Sequence, residues 1–141
     1  MMSELNSSVA LLIQSASLWS QLIKRADSQL SVHGISFTEF SILHCLAQAP
    51  LQQLSRIELA NTVGLSASGV TRLLLPLEKI HLVEKAQIAR DARVSLVKLT
   101  STGMQIYQDA LPTLSYCAEQ FTSPLTSRQQ EQLSDLLGRL S

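Results

Sequence analysis

The stretch from Arg56 to Thr102, RIELANTVGLSASGVTRLLLPLEKIHLVEKAQIARDARVSLVKLTST, decides how this chain folds. Ser55 precedes it and Glu58 lies three residues on, the spacing at which a hydroxyl and a carboxylate each satisfy an orphan amide of a helix start. The helix so begun carries Ile57, Leu59, Ala60 and Val63 as its expected buried stripe. Gly64 stands where the chain needs a residue tolerant of the left-handed region. Leu65 is the expected plug between this helix and the next, which Ser66 caps. On the second helix Val70, Leu73, Leu74, Leu77 and Ile80 recur at three and four residues and mark the inward face.

The opposite face of the second helix carries Ser68, Gly69, Thr71 and Arg72 near its amino end. Small residues permit close approach, hydroxyl groups bond phosphate or base edges, and a guanidinium grips guanine or phosphate through two parallel bonds. The partial positive charge of a helix amino end suits phosphate as well. Two β-rich runs follow, Leu82 to Ile88 and Val94 to Leu99, on either side of a polar IARDAR segment that reads as a hairpin tip bearing Arg90, Asp91 and Arg93. Taken alone, the helix pair reads equally well as part of an ordinary helical domain with a solvated face. The strands that follow favour a winged helix-turn-helix, which sets one helix in the DNA major groove and a basic tip beside it.

The run SASGVTRLLLPLEKIHLVEK, then Arg90-Asp91-Ala92-Arg93 and VSLVKLTSTG, resembles the multiple antibiotic resistance regulator (MarR) family of bacterial transcription factors. GISFTEFSILHCLAQAP is similar to that family's helix before the DNA-binding unit, and LTSRQQEQLSDLLGRL to its closing helix, so nearly the whole chain is covered. The resemblance implies a mainly α fold with a small β-hairpin wing, flanked by dimerisation helices. It divides one domain into dimerisation helices at 1–34 and 101–141 and a DNA-binding region at 36–100. It also implies that Ser66, Ser68, Gly69, Thr71 and Arg72 face the major groove, that Arg93 enters the minor groove, and that Asp91 orients neighbouring arginines. Ser55, Arg56 and Arg90 complete the candidate DNA-binding set. The chain departs from the family's pattern at Ala92, where a basic residue is common, and at His81, where glycine is common. Pro76 inside the second helix is expected to kink or loosen the turn around Arg72.

At 141 residues the chain suits one domain with a real core, rich in Leu, Ala, Ser and Gln. Net charge is zero, yet residues 51–100 hold seven Lys and Arg against four Asp and Glu, leaving the rest equally acidic. That asymmetry fits a compact positive face on an acidic body, with modest, salt-sensitive affinity for DNA. Glu4 and the interrupted apolar stretch Val9 to Ile13 argue against a signal peptide or membrane span, so a cytoplasmic protein is expected.

From Leu5 to about Leu30 the apolar positions follow helical spacing. Ile106, Tyr107, Ala110, Leu111 and Leu114 give another amphipathic helix, and Leu133, Leu136, Leu137 and Leu140 a third, begun by Thr126 or Ser127. Such faces are best buried against a twin, with an intramolecular bundle as the alternative. The resemblance implies a homodimer with interleaved terminal helices on a near-palindromic operator. It also implies a crevice for a small aromatic or phenolic effector, with Trp19, Phe37, Phe40, His44 and Tyr107 as candidates to line it; plain core packing is the competing reading of these rings. Cys45 and Cys117 raise thiol-based redox sensing as an alternative, against which nothing but His44 stands near Cys45 to favour a thiolate.

No catalytic residue, cofactor or metal is expected. The three histidines and two cysteines lack zinc-site spacings. GLSASG has Ser68 where a nucleophile elbow needs glycine, and it runs from helix to helix rather than from strand to helix. A winged helix serving only protein interaction, without DNA binding, is the other alternative.

Overall fold

The computed structural model describes residues 6–86 and 95–141. Asn6 opens a long helix, α1 (Ser7–Leu30), by accepting the Ser8 amide proton at 2.8 Å. A single 3-10 turn (Ser31–His33) ends on left-handed Gly34 and leads to α2 (Phe37–Gln48). Ser36 and Glu39 form a reciprocal capping box at the start of α2, and Asp27 of α1 accepts the Phe37 amide at 2.7 Å, fixing the two helices to each other.

Next come a short strand, β1 (Gln53–Ser55), then α3 (Arg56–Val63) and α4 (Ala67–Lys79). The Ser55–Glu58 box and left-handed Gly64 (φ 72°) bound α3 as its sequence predicts. Two further strands, β2 (Val83–Ala86) and β3 (Leu96–Leu99), complete an antiparallel sheet in the order β1-β3-β2. Leu82 and Ser95, expected in these strands, lie just outside them, and the expected hairpin tip IARDAR falls outside the described residues. β1 is not legible in the sequence: three residues are too few to show alternation, and the strand exists because β3 offers it an edge, with Leu54 opposite Val97. The chain closes with α5 (Ser101–Thr122) and α6 (Ser127–Leu140), the latter begun by a Thr126–Gln129 capping box.

The core gathers under α4 and the sheet. Ile42, Leu43, Leu46, Leu59, Val70, Leu74, Leu77, Val97 and Leu99 are almost wholly buried. Full burial of such a side chain is worth about 1.5–3 kcal/mol. Three expected core positions are corrected. Ile57 is 70% exposed and Ile80 53% exposed, and Leu65 also reaches solvent. Ile57 falls in the first turn of α3, whose buried residues are Leu59 and Ala60; Ile80 lies beyond the last turn of α4, as its C-cap. Leu73 is half-buried at the edge of the cluster.

Pro76 does not break α4, which runs unbroken from Ala67 to Lys79. Pro76 is exposed, so the Arg72 carbonyl that its missing amide leaves unpaired lies on the solvent side of the helix. His81 does sit in the left-handed region, at φ 61°. Its carbonyl oxygen is 2.6 Å from the Thr100 hydroxyl, and that of Leu82 is 3.0 Å from the same hydroxyl.

Thr100 therefore joins sheet to helix. Its amide donates to the Leu82 carbonyl at 3.1 Å, and its hydroxyl oxygen accepts the Gly103 amide at 2.9 Å as the cap of α5. A side chain at Gly103 would drive a Cβ into the Leu82 carbonyl and bring it within 2.7 Å of Leu99 Cδ1. In most helices Gly→Ala is stabilising. Here Gly103→Ala is expected to destabilise the fold by about 1–3 kcal/mol, the usual cost of overpacking, and a fall in thermal midpoint measures it.

Candidate nucleic-acid interface

The face of α4 turned away from the core is polar and open. Ser66 Oγ accepts the Gly69 amide at 3.1 Å and lies 3.1 Å from Ser68 Oγ, so the cap and its neighbour form one small hydroxyl cluster at the helix amino end. Thr71 donates its hydroxyl proton to the Ala67 carbonyl at 3.1 Å, leaving lone pairs and a methyl outward. Gly69 is half-buried beneath them, and a Cβ there would stand 3.3 Å from Ser66 Oγ, so the cap keeps this position small. Arg72 is exposed one turn along and has no ion-pair partner among the described residues. Ser66, Ser68, Thr71 and Arg72 are thus brought to one surface by helical periodicity, with Val70, Leu74 and Leu77 anchoring the other side.

Lys98 on β3 and Lys85 on β2 are exposed on the sheet that adjoins this helix. Arg90, Asp91 and Arg93 lie outside the described residues. Ser55 and Arg56 are placed differently from the α4 group. The Ser55 hydroxyl is committed to the cap, accepting the Glu58 amide at 3.1 Å. The Arg56 guanidinium turns inward onto Glu78 at 3.4 Å and Ser95 at 3.1 Å. Glu78 and Ser95 carry no signal that sequence reading could find, since they meet Arg56 only through folding, 22 and 39 residues away along the chain.

A cleft of about 740 Å³ opens between α1, α2, the end of α3 and α5. Trp19, Phe37, Phe40 and His44 line it together with Leu111, Leu114 and Cys45. Trp19 meets Phe37 edge-on at 5.7 Å. Tyr107 is not on the lining. It is buried behind it, stacked on Phe40 at 5.2 Å and sharing a 2.7 Å hydrogen bond between its hydroxyl and His44 Nδ1. The cleft thus has an aromatic wall, one imidazole held in place from behind, and an open mouth. Among the described residues no cluster of three or more His, Cys, Asp or Glu side chains is arranged to hold a metal ion. No described helix is long and apolar enough to cross a membrane.

Residues 35–95 match the profile of the MarR family. The transcriptional repressor MprA of Escherichia coli is 27% identical over 121 residues, covering 86% of this chain and 69% of its own. Among solved structures, a MarR-family regulator from Streptomyces coelicolor, Sco3205, in complex with DNA superposes with a TM-score of 0.86 at 23% identity, over 99% of this chain and 89% of its own. A mutant MarR from Escherichia coli complexed with operator DNA gives a TM-score of 0.87 at 24% identity, over 98% of this chain and 99% of its own. These likenesses place the whole described fold among winged-helix proteins of that type.

Burial pushes the Cys45 thiol upward, outweighing a backbone hydrogen bond that acts the other way. A raised pKa means less thiolate at neutral pH, so Cys45 is poorly prepared for oxidation. Cys117 is buried in α5. Alkylation of Cys45 by iodoacetamide, followed by mass spectrometry, is expected to be slower than that of a small free thiol at neutral pH. Its rate should still climb with pH where the free thiol has levelled off.

Proposed function

We propose that this chain, whose residues 35–95 match the MarR-family profile, is a DNA-binding transcriptional regulator of that family acting as a repressor. The observation that carries this reading is the exposed amino-terminal face of α4, where Ser66, Ser68, Thr71 and Arg72 converge above a fully buried stripe. A side chain with five donors, exposed on a helix whose other face is fixed, suits bidentate recognition of guanine or phosphate. The likeness to a transcriptional repressor and to proteins solved with DNA supports the same conclusion. Arg93 at the wing tip is assigned the minor groove, with Asp91 orienting it, on the resemblance alone.

The active form in this proposal is a homodimer. α6 buries none of its residues in the protomer, and Leu133, Leu136, Leu137 and Leu140 are all exposed. Val9, Leu12 and Ile13 of α1 are exposed too. A 14-residue helix is marginal in water without tertiary packing, and a second copy supplies that packing while placing two α4 helices on two half-sites. The aromatic cleft is assigned to a small aromatic or phenolic effector, with His44 as its polar contact.

Retention of fragments of its own genome by the purified protein tests the central reading. Salt-dependent capture of a common sequence is expected, whereas a winged helix used only for protein contacts would retain none. Arg72→Ala is expected to weaken operator binding by about 1–3 kcal/mol and to relax base preference; unchanged binding would show that Arg72 points elsewhere. Sedimentation at micromolar concentration is expected to give a dimer, and a persistent monomer would remove the two-half-site arrangement.

A further inference from the structure

The guanidinium of Arg56 touches two elements besides its own. Nε donates to Ser95 Oγ at 3.1 Å and Nη2 lies 3.4 Å from a Glu78 carboxylate oxygen. The Arg56 backbone amide also donates to the Ser95 carbonyl at 3.3 Å. Nη1 is buried and has no acceptor among the described residues. Arg56 opens α3, Glu78 lies in the last turn of α4, and Ser95 immediately precedes β3, the strand that returns from the wing. With one nitrogen on each partner and the third buried, little of the fork remains for a phosphate. The planar shape of a guanidinium makes such a three-way contact directional: a shift of β3 against α4 cannot keep both bonds.

We propose that Arg56 is a positioning residue that, with Glu78 and Ser95, fixes the wing against the recognition helix α4 and so sets DNA specificity without touching DNA. The proposal rests on the DNA-binding reading above. It makes Glu78 matter in a direction opposite to its charge. A carboxylate near a DNA-binding face repels phosphate, so Glu78→Gln should raise affinity if Glu78 were only a charge. As part of the brace, its loss should instead lower affinity for the operator.

The experiment compares wild type with Glu78→Gln, Arg56→Gln, the double variant and Ser95→Ala. Each is titrated with the genomic fragment that wild type retains and with an unrelated duplex of equal length, across a salt series. The expected result for Glu78→Gln is a roughly tenfold loss on the operator fragment, of the order seen when groups in one contact network are uncoupled, with affinity for the unrelated duplex unchanged or raised. Arg56→Gln should do the same without altering the salt slope, and the double variant should lose no more than the worse single one. Ser95→Ala, at an exposed position that the fold tolerates, should show a smaller loss of the same kind and keeps the test open if another variant fails to fold.

A salt slope reduced by about one unit in Arg56→Gln would mean a direct phosphate contact and would overturn the proposal. So would tighter operator binding by Glu78→Gln, or an operator-to-duplex ratio that no variant changes. Failure of wild type to retain any DNA would instead overturn the DNA-binding reading, a distinct outcome.

Discussion

The joint at Thr100 is the constraint on which the remaining architecture depends. One carbonyl, that of Leu82, accepts the Thr100 amide and lies within reach of its hydroxyl, while the same hydroxyl caps α5 through Gly103. The winged unit and the long α5 helix are thereby fixed to each other within four residues, with no loop to absorb movement. Gly103 is required because the Leu82 backbone passes where a side chain would stand. His81 enters the left-handed region one residue earlier, so the turn that presents the Leu82 carbonyl keeps its shape at a conformational cost that glycine would not incur.

From that joint one contiguous core extends from Leu77 and Leu99 through Phe40 to Leu30, Tyr107 and Ala110. His33 Nε2 meets Thr113 Oγ1 at 2.8 Å and His44 Nδ1 meets the Tyr107 hydroxyl at 2.7 Å. Together with the Asp27–Phe37 contact, these bonds join α1 and α2 to α5 and to each other around the aromatic cleft. A molecule entering the cleft would press on α2 and α5 together, and α5 continues directly from the wing strand β3.

Much of this was legible in the sequence wherever a local rule applied. Capping boxes at Ser55 and Thr126, the left-handed glycine at 64 and the stripe Val70, Leu74 and Leu77 depend on neighbours within a turn or two, and the structure has them. What escaped depends on distant contacts. β1 exists only because β3 pairs with it, and the inward turn of Arg56 only because Glu78 and Ser95 arrive from elsewhere in the chain. Ile57 and Ile80 obey helical spacing and still face solvent, because they sit at helix ends that no described residue covers. Of the candidate site, the α4 hydroxyls and Arg72 were readable from periodicity. Tyr107 was assigned to the cleft because an aromatic residue at helical spacing does not reveal which side of a neighbouring ring it will occupy.

The unburied leucines of α6 have a consequence for how the protein responds to its own abundance. In the proposed homodimer α6, which buries none of its residues in the single chain, would be held in place by another copy, so protomer concentration would enter the stability of the terminal layer by mass action. With none of its residues buried in the single chain, an unpaired α6 would have little local contact to resist fraying and proteolysis. In the homodimer proposed above, chain turnover and assembly would be coupled: protomers without a twin would expose a degradable tail, and those that pair would hide it.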